Sequence, residues 1–147
     1  MLLSEKNDLM YLLNILEYIG KIWKYTENAK NAEELFELND QMNLNASLTL
    51  LANIGENVSR ITEKTKKEYS NIEWKQIKGF RNRIVHDYVG IDLAMIYEII
   101  SQDLKKIKPE IERIIKENLK KNIFDIEELK ICKESVYYEH IEFGNLE

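Results

Sequence analysis

The part of this sequence best equipped for chemistry is the stretch Trp74-Lys-Gln-Ile-Lys-Gly-Phe-Arg81-Asn-Arg-Ile-Val-His86-Asp-Tyr88. Wound as a helix at ~100° per residue, it places Trp74, Ile77, Ile84, Val85 and Tyr88 within about 60° of Arg81. Arg81 therefore sits at the centre of an apolar stripe. A guanidinium keeps its charge at any accessible pH, so at such a position it must meet a carboxylate, a partner chain or a ligand phosphate. A structural ion pair satisfies that requirement, and Glu56, on the flank of the preceding helix's apolar face, is one partner for it. A phosphate satisfies it equally.

Asn82 and His86 lie four residues apart on the adjoining edge, with Lys75 and Lys78 beside them and Arg83 nearby. A single histidine at a helix end is more often a cap or a surface residue than a catalyst, but this one stands beside an amide, two ammoniums and a guanidinium. RNA cleavage needs a group titrating near neutrality to move the 2′-hydroxyl or 5′-oxygen proton, and fixed positive charge on the phosphorane. Histidine fits the first need, and the two-point fork of arginine fits the second. One histidine does not readily serve as both base and acid. An isologous dimer, packing the apolar parts of this helix and the next against their copies, would bring two sets of Arg81, Asn82 and His86 to one cleft.

The elements that must hold these residues are helical. With five Gly and one Pro in 147 residues, long helices are the default. Leu9, Leu12, Leu13, Leu16, Ile19, Ile22 and Trp23 mark a first helix over about residues 4–25. An Asn-rich connector, residues 26–43, has room for one short helix. Leu44, Leu48, Leu51, Gly55 and Val58 mark a second long helix to about Lys67, with Gly55 allowing close approach of a neighbour. A third begins near Ile72 and ends between His86 and Gly90. Asp92 is placed to cap a fourth of about 25 residues, which Pro109 should kink or split. The sequence thus predicts an all-α, up-and-down bundle of four main helices over residues 1–121, with a C-terminal extension over 122–147.

Composition narrows the functions. Cys132 is the only cysteine and His86 and His140 the only histidines, so neither a disulfide framework nor a Cys- or His-rich metal centre is expected, and no metal ligand is assigned. No apolar run is long enough to span a bilayer, and residues 1–8 do not read as a signal peptide, so a cytoplasmic protein with no membrane partner is expected. The net charge is −5, yet residues 60–83 carry Arg60, Lys64, Lys66, Lys67, Lys75, Lys78, Arg81 and Arg83 against three glutamates. This +5 segment is where a polyanion would land. The tail after Lys121 is acidic, but Phe124, Val136, Tyr137, Tyr138, Ile141 and Phe143 make it too apolar to read as disordered.

Arg81-Asn-Arg-Ile-Val-His86-Asp-Tyr88 resembles the Arg-x4-His-x-Tyr signature of the HEPN toxins, specifically the HepT-like branch that pairs with a minimal nucleotidyltransferase antitoxin. The resemblance extends to Ile54-Gly55-Glu56 on the second helix and to the order and spacing of all four helices from about residue 8 to 118. It implies a helical homodimer acting as a metal-independent toxin ribonuclease of a HEPN/MNT (type VII) pair. It also implies silencing by the antitoxin, which transfers AMP from ATP to the motif tyrosine. The toxin itself would need no cofactor.

On this chain, Arg81 would hold the scissile phosphate, His86 would do acid/base work and Asn82 would orient phosphate or ribose. Lys75, Lys78 and Arg83 would contact RNA, and Tyr88 would be the adenylylated residue. Glu56 would orient Arg81 or belong to the site. The extension has no counterpart in the family core; it could embrace the second protomer, cover the cleft or contact the antitoxin, and His140 within it has no assigned role. The reading from a different class is a non-catalytic helical module that binds a nucleotidyltransferase or a nucleotide, with Arg81 structural or holding a nucleotide phosphate.

Overall fold

A computed structural model describes the backbone of residues 3–86 and 92–147 and the side chains of residues 8–80, 82 and 92–147. The described residues are helical with no strand. Their order is α1 (Leu3–Thr26), α2 (Ala32–Glu37), a 3-10 turn (Leu38–Gln41), α3 (Met42–Arg60), α4 (Glu63–Glu68), α5 (Trp74–His86), α6 (Leu93–Glu98), a π turn (Ile99–Asp103), α7 (Leu104–Lys120), α8 (Ile126–Lys133) and a final 3-10 turn (Phe143–Leu146). Four rods form the bundle: α1, α3, α5, and α6 with α7. α1 packs on α3 and α7, and α3 packs on α5. The expected all-α architecture is what the chain adopts.

α1 is the central rod because its apolar residues wrap most of its circumference. Leu9, Leu12, Leu13, Ile15, Leu16, Ile19 and Ile22 are all buried, each contributing roughly 1.5–3 kcal/mol if fully transferred from water. They meet Leu51, Ile54 and Val58 of α3 and Leu104, Ile111, Ile114 and Ile115 of α7 in one continuous core. Trp23 is only partly buried, and its indole Nε1 donates to the Ile100 carbonyl at 3.0 Å.

Two helix boundaries differ from the sequence expectation. The second helix does not run to Lys67: it stops at Arg60, Ile61 turns extended (φ −66°, ψ 137°), and Thr62 caps α4. The cause is Asp8, fully buried on α1. Its Oδ1 accepts from the Thr62 backbone N–H at 3.0 Å, and its Oδ2 accepts from the hydroxyls of Thr62 (2.6 Å) and Thr65 (2.7 Å). Those bonds fix the chain in a non-helical turn, where a threonine is a good N-cap. Asp8→Ala would leave one buried N–H and two hydroxyls without this acceptor. Removing it should destabilise by about 3 kcal/mol, a thermal midpoint drop of roughly 10 °C at this chain length; Asp8→Asn should cost less than half as much. Urea and thermal unfolding of the two variants check this, and equal losses would contradict it.

Pro109, expected to kink or split its helix, does not divide it: α7 runs through Pro109 to Lys120. Pro109 and Lys105, four residues earlier, are both exposed, so the carbonyl deprived of a helical donor faces water. The irregularity lies instead in the π turn, where the Leu104 N–H reaches back to the Ile99 carbonyl and the Ile100 carbonyl takes the Trp23 indole. The connector carries the expected short helix, α2, capped by the Asn31 side chain at 2.8 Å. It then makes a turn in which Asn39, Asp40 and Gln41 all adopt positive φ (49°, 56° and 67°), a conformation that short polar side chains tolerate best.

The extension folds back on the bundle. Phe124, Leu129, Cys132, Phe143 and Leu146 are buried in the same core as the rods. Tyr138 donates to Asn14 Oδ1 at 2.7 Å, and Asn14 in turn donates to Asn57 of α3 at 3.1 Å. Lys108 pairs with Glu142 at 2.6 Å, holding that carboxyl below the usual carboxylate range. His140 has a structural part: its backbone N–H donates to Glu17 Oε1 at 2.7 Å, and its Nδ1 lies 2.6 Å from Glu17 Oε2.

Candidate ribonuclease site

α5 is positioned at its start by a clamp on α7. The chain turns at Tyr69–Glu73, and Trp74 is fastened inside that turn by its indole N–H to the Tyr69 carbonyl at 3.1 Å. The Tyr69 phenol donates to Glu117 at 3.3 Å and accepts from Asn118 at 3.2 Å; burial and the neighbouring Glu117 push its pKa up. Arg113 stacks over the Tyr69 ring at 5.2 Å and pairs with Glu110 at 2.8 Å. Glu110 also accepts from Asn71 at 3.3 Å. Seven side chains thus hold the entry to α5 in one place.

Two lines of residues run along α5 from there. Trp74, Ile77 and Phe80 are buried against the core, and position 81 follows one turn beyond Ile77 and two beyond Trp74. The second line is Lys75, Lys78 and Asn82, all exposed, and position 86 falls one turn beyond Asn82 in the same helix. By register, position 81 falls in the row of Trp74 and Ile77, and position 86 in the row of Lys75, Lys78 and Asn82. The side chains of Arg81, Arg83 and His86 lie outside the described residues, as does the whole of Tyr88. Glu56 is half-buried on α3, the rod on which α5 packs. Ile54 and Gly55 beside it are buried, and α3 continues through Gly55 without a break.

The family model for ribonuclease HepT-like proteins matches residues 15–114, from the middle of α1 to the middle of α7. The chain belongs to the ribonuclease HepT-like family. By membership it is an endoribonuclease. It is 32% identical over 107 residues to "Putative RNase MJ1216" of Methanocaldococcus jannaschii, covering 73% of this chain and 86% of that protein. It is 30% identical over 110 residues to "Putative RNase MJ1380" of the same organism, covering 75% and 98%. It is 28% identical over 106 residues to "Probable ribonuclease HepT" of Thermococcus cleftensis, covering 72% and 94%. No solved structure matches the chain.

The HepT-like match contains all of α3 and α5, so Glu56, Lys75, Lys78, Arg81, Asn82, Arg83, His86 and Tyr88 all fall within it. What reading the residues alone missed is the surface beside α5. Because the chain breaks at Ile61–Thr62 instead of continuing as one rod, α4 turns its lysines toward the first turns of α5. Glu63, Lys66, Lys67, Ser70, Ile72, Glu73, Trp74, Lys75 and Lys78 line an open groove of about 470 Å³. The signal available in the sequence was Thr62 followed by Glu63, an N-cap ahead of a carboxylate.

Proposed function

We propose that this chain is the toxin ribonuclease of a toxin–antitoxin pair, cutting RNA without a metal and silenced by AMP on Tyr88. The observation that carries the reading is the Arg81-x4-His86-x-Tyr88 spacing, which starts on a clamped helix inside the ribonuclease HepT-like match. Arg81 binds the scissile phosphate through its fork and stabilises the charge that builds there. His86 moves the proton, and Asn82 orients phosphate or ribose. Lys75, Lys78 and Arg83 hold the neighbouring backbone. Glu56, on the helix against which α5 packs, orients Arg81.

Each chain supplies one motif histidine. A two-fold homodimer pairing the α5 and α6–α7 faces supplies a second, so that one imidazole takes the proton while the other gives it. The protein itself holds no cofactor in this account, and ATP enters as the antitoxin's AMP donor. On this reading the chain acts in the cytoplasm. Among the described residues, no helix is long and apolar enough to cross a membrane.

Silencing follows from charge and bulk. When the nucleotidyltransferase joins the Tyr88 oxygen to the α-phosphorus of ATP, pyrophosphate leaves. A phosphodiester anion with its nucleoside is then fixed two residues from His86, where it repels and blocks an RNA phosphate. Expression of the chain should stop growth, and coexpression of the nucleotidyltransferase should restore it. Tyr88→Phe, which has no oxygen to modify, should remain toxic in the presence of the partner. Rescue of Tyr88→Phe as complete as that of the parent would overturn the assignment of Tyr88; an untoxic parent that leaves RNA intact would overturn the ribonuclease toxin.

A further inference from the structure

The groove between α4 and the start of α5 gathers four lysines against two glutamates. Glu63 pairs with Lys66 there, and at 4.0 Å that pair is loose. The Lys66 side chain lines the groove and is only 17% exposed, so most of its stem is packed against the protein. Trp74 forms part of the floor but is 8% exposed, leaving little ring face on which a base could stack. The chemistry on offer is positive charge and the Ser70 hydroxyl, which suits a phosphate backbone and reads no base.

We infer that this groove is a second RNA-backbone subsite, in which Lys66, Lys67, Lys75 and Lys78 hold the single strand upstream or downstream of the cut. The inference rests on the ribonuclease reading above. Along α5, Lys78 precedes Arg81, which holds the scissile phosphate, by three residues and Lys75 by six, a rise of roughly 4.5 and 9 Å at ~1.5 Å per residue. A stacked strand advances ~3.4 Å per nucleotide, so Lys78 and Lys75 engage phosphates about one to three nucleotides from the scissile one. Lys66 and Lys67, on α4, extend the track beyond the start of α5. An acidic protein surface would complement the same charge, but the lysine line that leads along one helix toward the motif favours a strand that also reaches the motif.

The test is binding of a 15-nucleotide 2′-O-methyl RNA, which lacks the free 2′-hydroxyl, followed by anisotropy across a salt series. Lys66→Gln/Lys67→Gln keeps most of each stem and removes two charges. Its affinity near 0.1 M salt should fall about tenfold, and its log–log salt slope should shrink by about 1.4, since single strands contribute about 0.7 per phosphate contact. Arginine at both positions should restore both values. Lys130→Gln/Lys133→Gln on α8, which changes net charge equally, should match the parent. Parental affinity and slope in the α4 variant, from a chain that cuts and binds RNA, overturns the groove and leaves the ribonuclease standing; that is the outcome if the groove serves an acidic protein. A parent that neither cuts RNA nor binds this strand overturns both.

Discussion

His86→Ala and Arg81→Ala should each lower RNA cleavage at least 100-fold while leaving the thermal midpoint within a few degrees of the parent. A positioned acid/base group contributes typically 10²–10⁴ in rate, and one donor aimed at developing charge contributes roughly 10²–10³. Arg81 is the sharper case, because its place in line with the buried Trp74 and Ile77 is what either a phosphate-binding or a structural arginine would show. If Arg81 only closes a buried ion pair, removing it strands the partner carboxylate and costs about 3–5 kcal/mol of stability. If it serves phosphate, the loss appears in rate and the fold survives. Arg81→Lys separates the two further: a point charge replaces the fork, so stability should hold and cleavage should recover only in part. Single-turnover cleavage set beside thermal unfolding reads both quantities on the same variants.

The second large effect lies far from the motif. A Cβ on Gly20 would stand 2.4 Å from the backbone oxygen of His140 and 2.6 Å from its Cβ, distances at which backbone must move. Gly20→Ala should therefore push residues 138–141 off α1 and break both bonds from His140 to Glu17. Glu17 is 3% exposed, so its carboxylate either stays buried without those donors or draws water into the core. We expect a loss of about 3 kcal/mol, the range for leaving a buried carboxyl group without its hydrogen-bond donors. Amide exchange should quicken over residues 134–147 before it does in α1. Unchanged stability and protection in Gly20→Ala would contradict the tail's role as a brace on α1 and α7.

The four rods were legible because each carries a long apolar stripe at helical spacing, and burial of Leu9 through Ile22 is what that stripe demands. The break at Ile61–Thr62 left only the local cap signal of Thr62 and Glu63, because its cause is Asp8, more than fifty residues away in sequence. Pro109 misled for a related reason: its cost depends on whether the orphaned carbonyl finds water, which periodicity does not encode. The docking of the tail depends on Gly20 and Glu17, neither of which stands out until His140 is beside them. Of the site, the motif positions were legible as spacing on one helix. The lysine groove was visible only as a charged segment, since pairing α4 with α5 required the turn that Asp8 imposes.

The most direct test of the central claim is cleavage of total and transfer RNA by the purified, unmodified protein in EDTA, with His86→Ala prepared identically beside it. The parent alone should cleave, with both proteins folded. Equal cleavage by the two would contradict the role of His86, and intact RNA with a folded, unadenylylated parent would contradict a metal-independent ribonuclease.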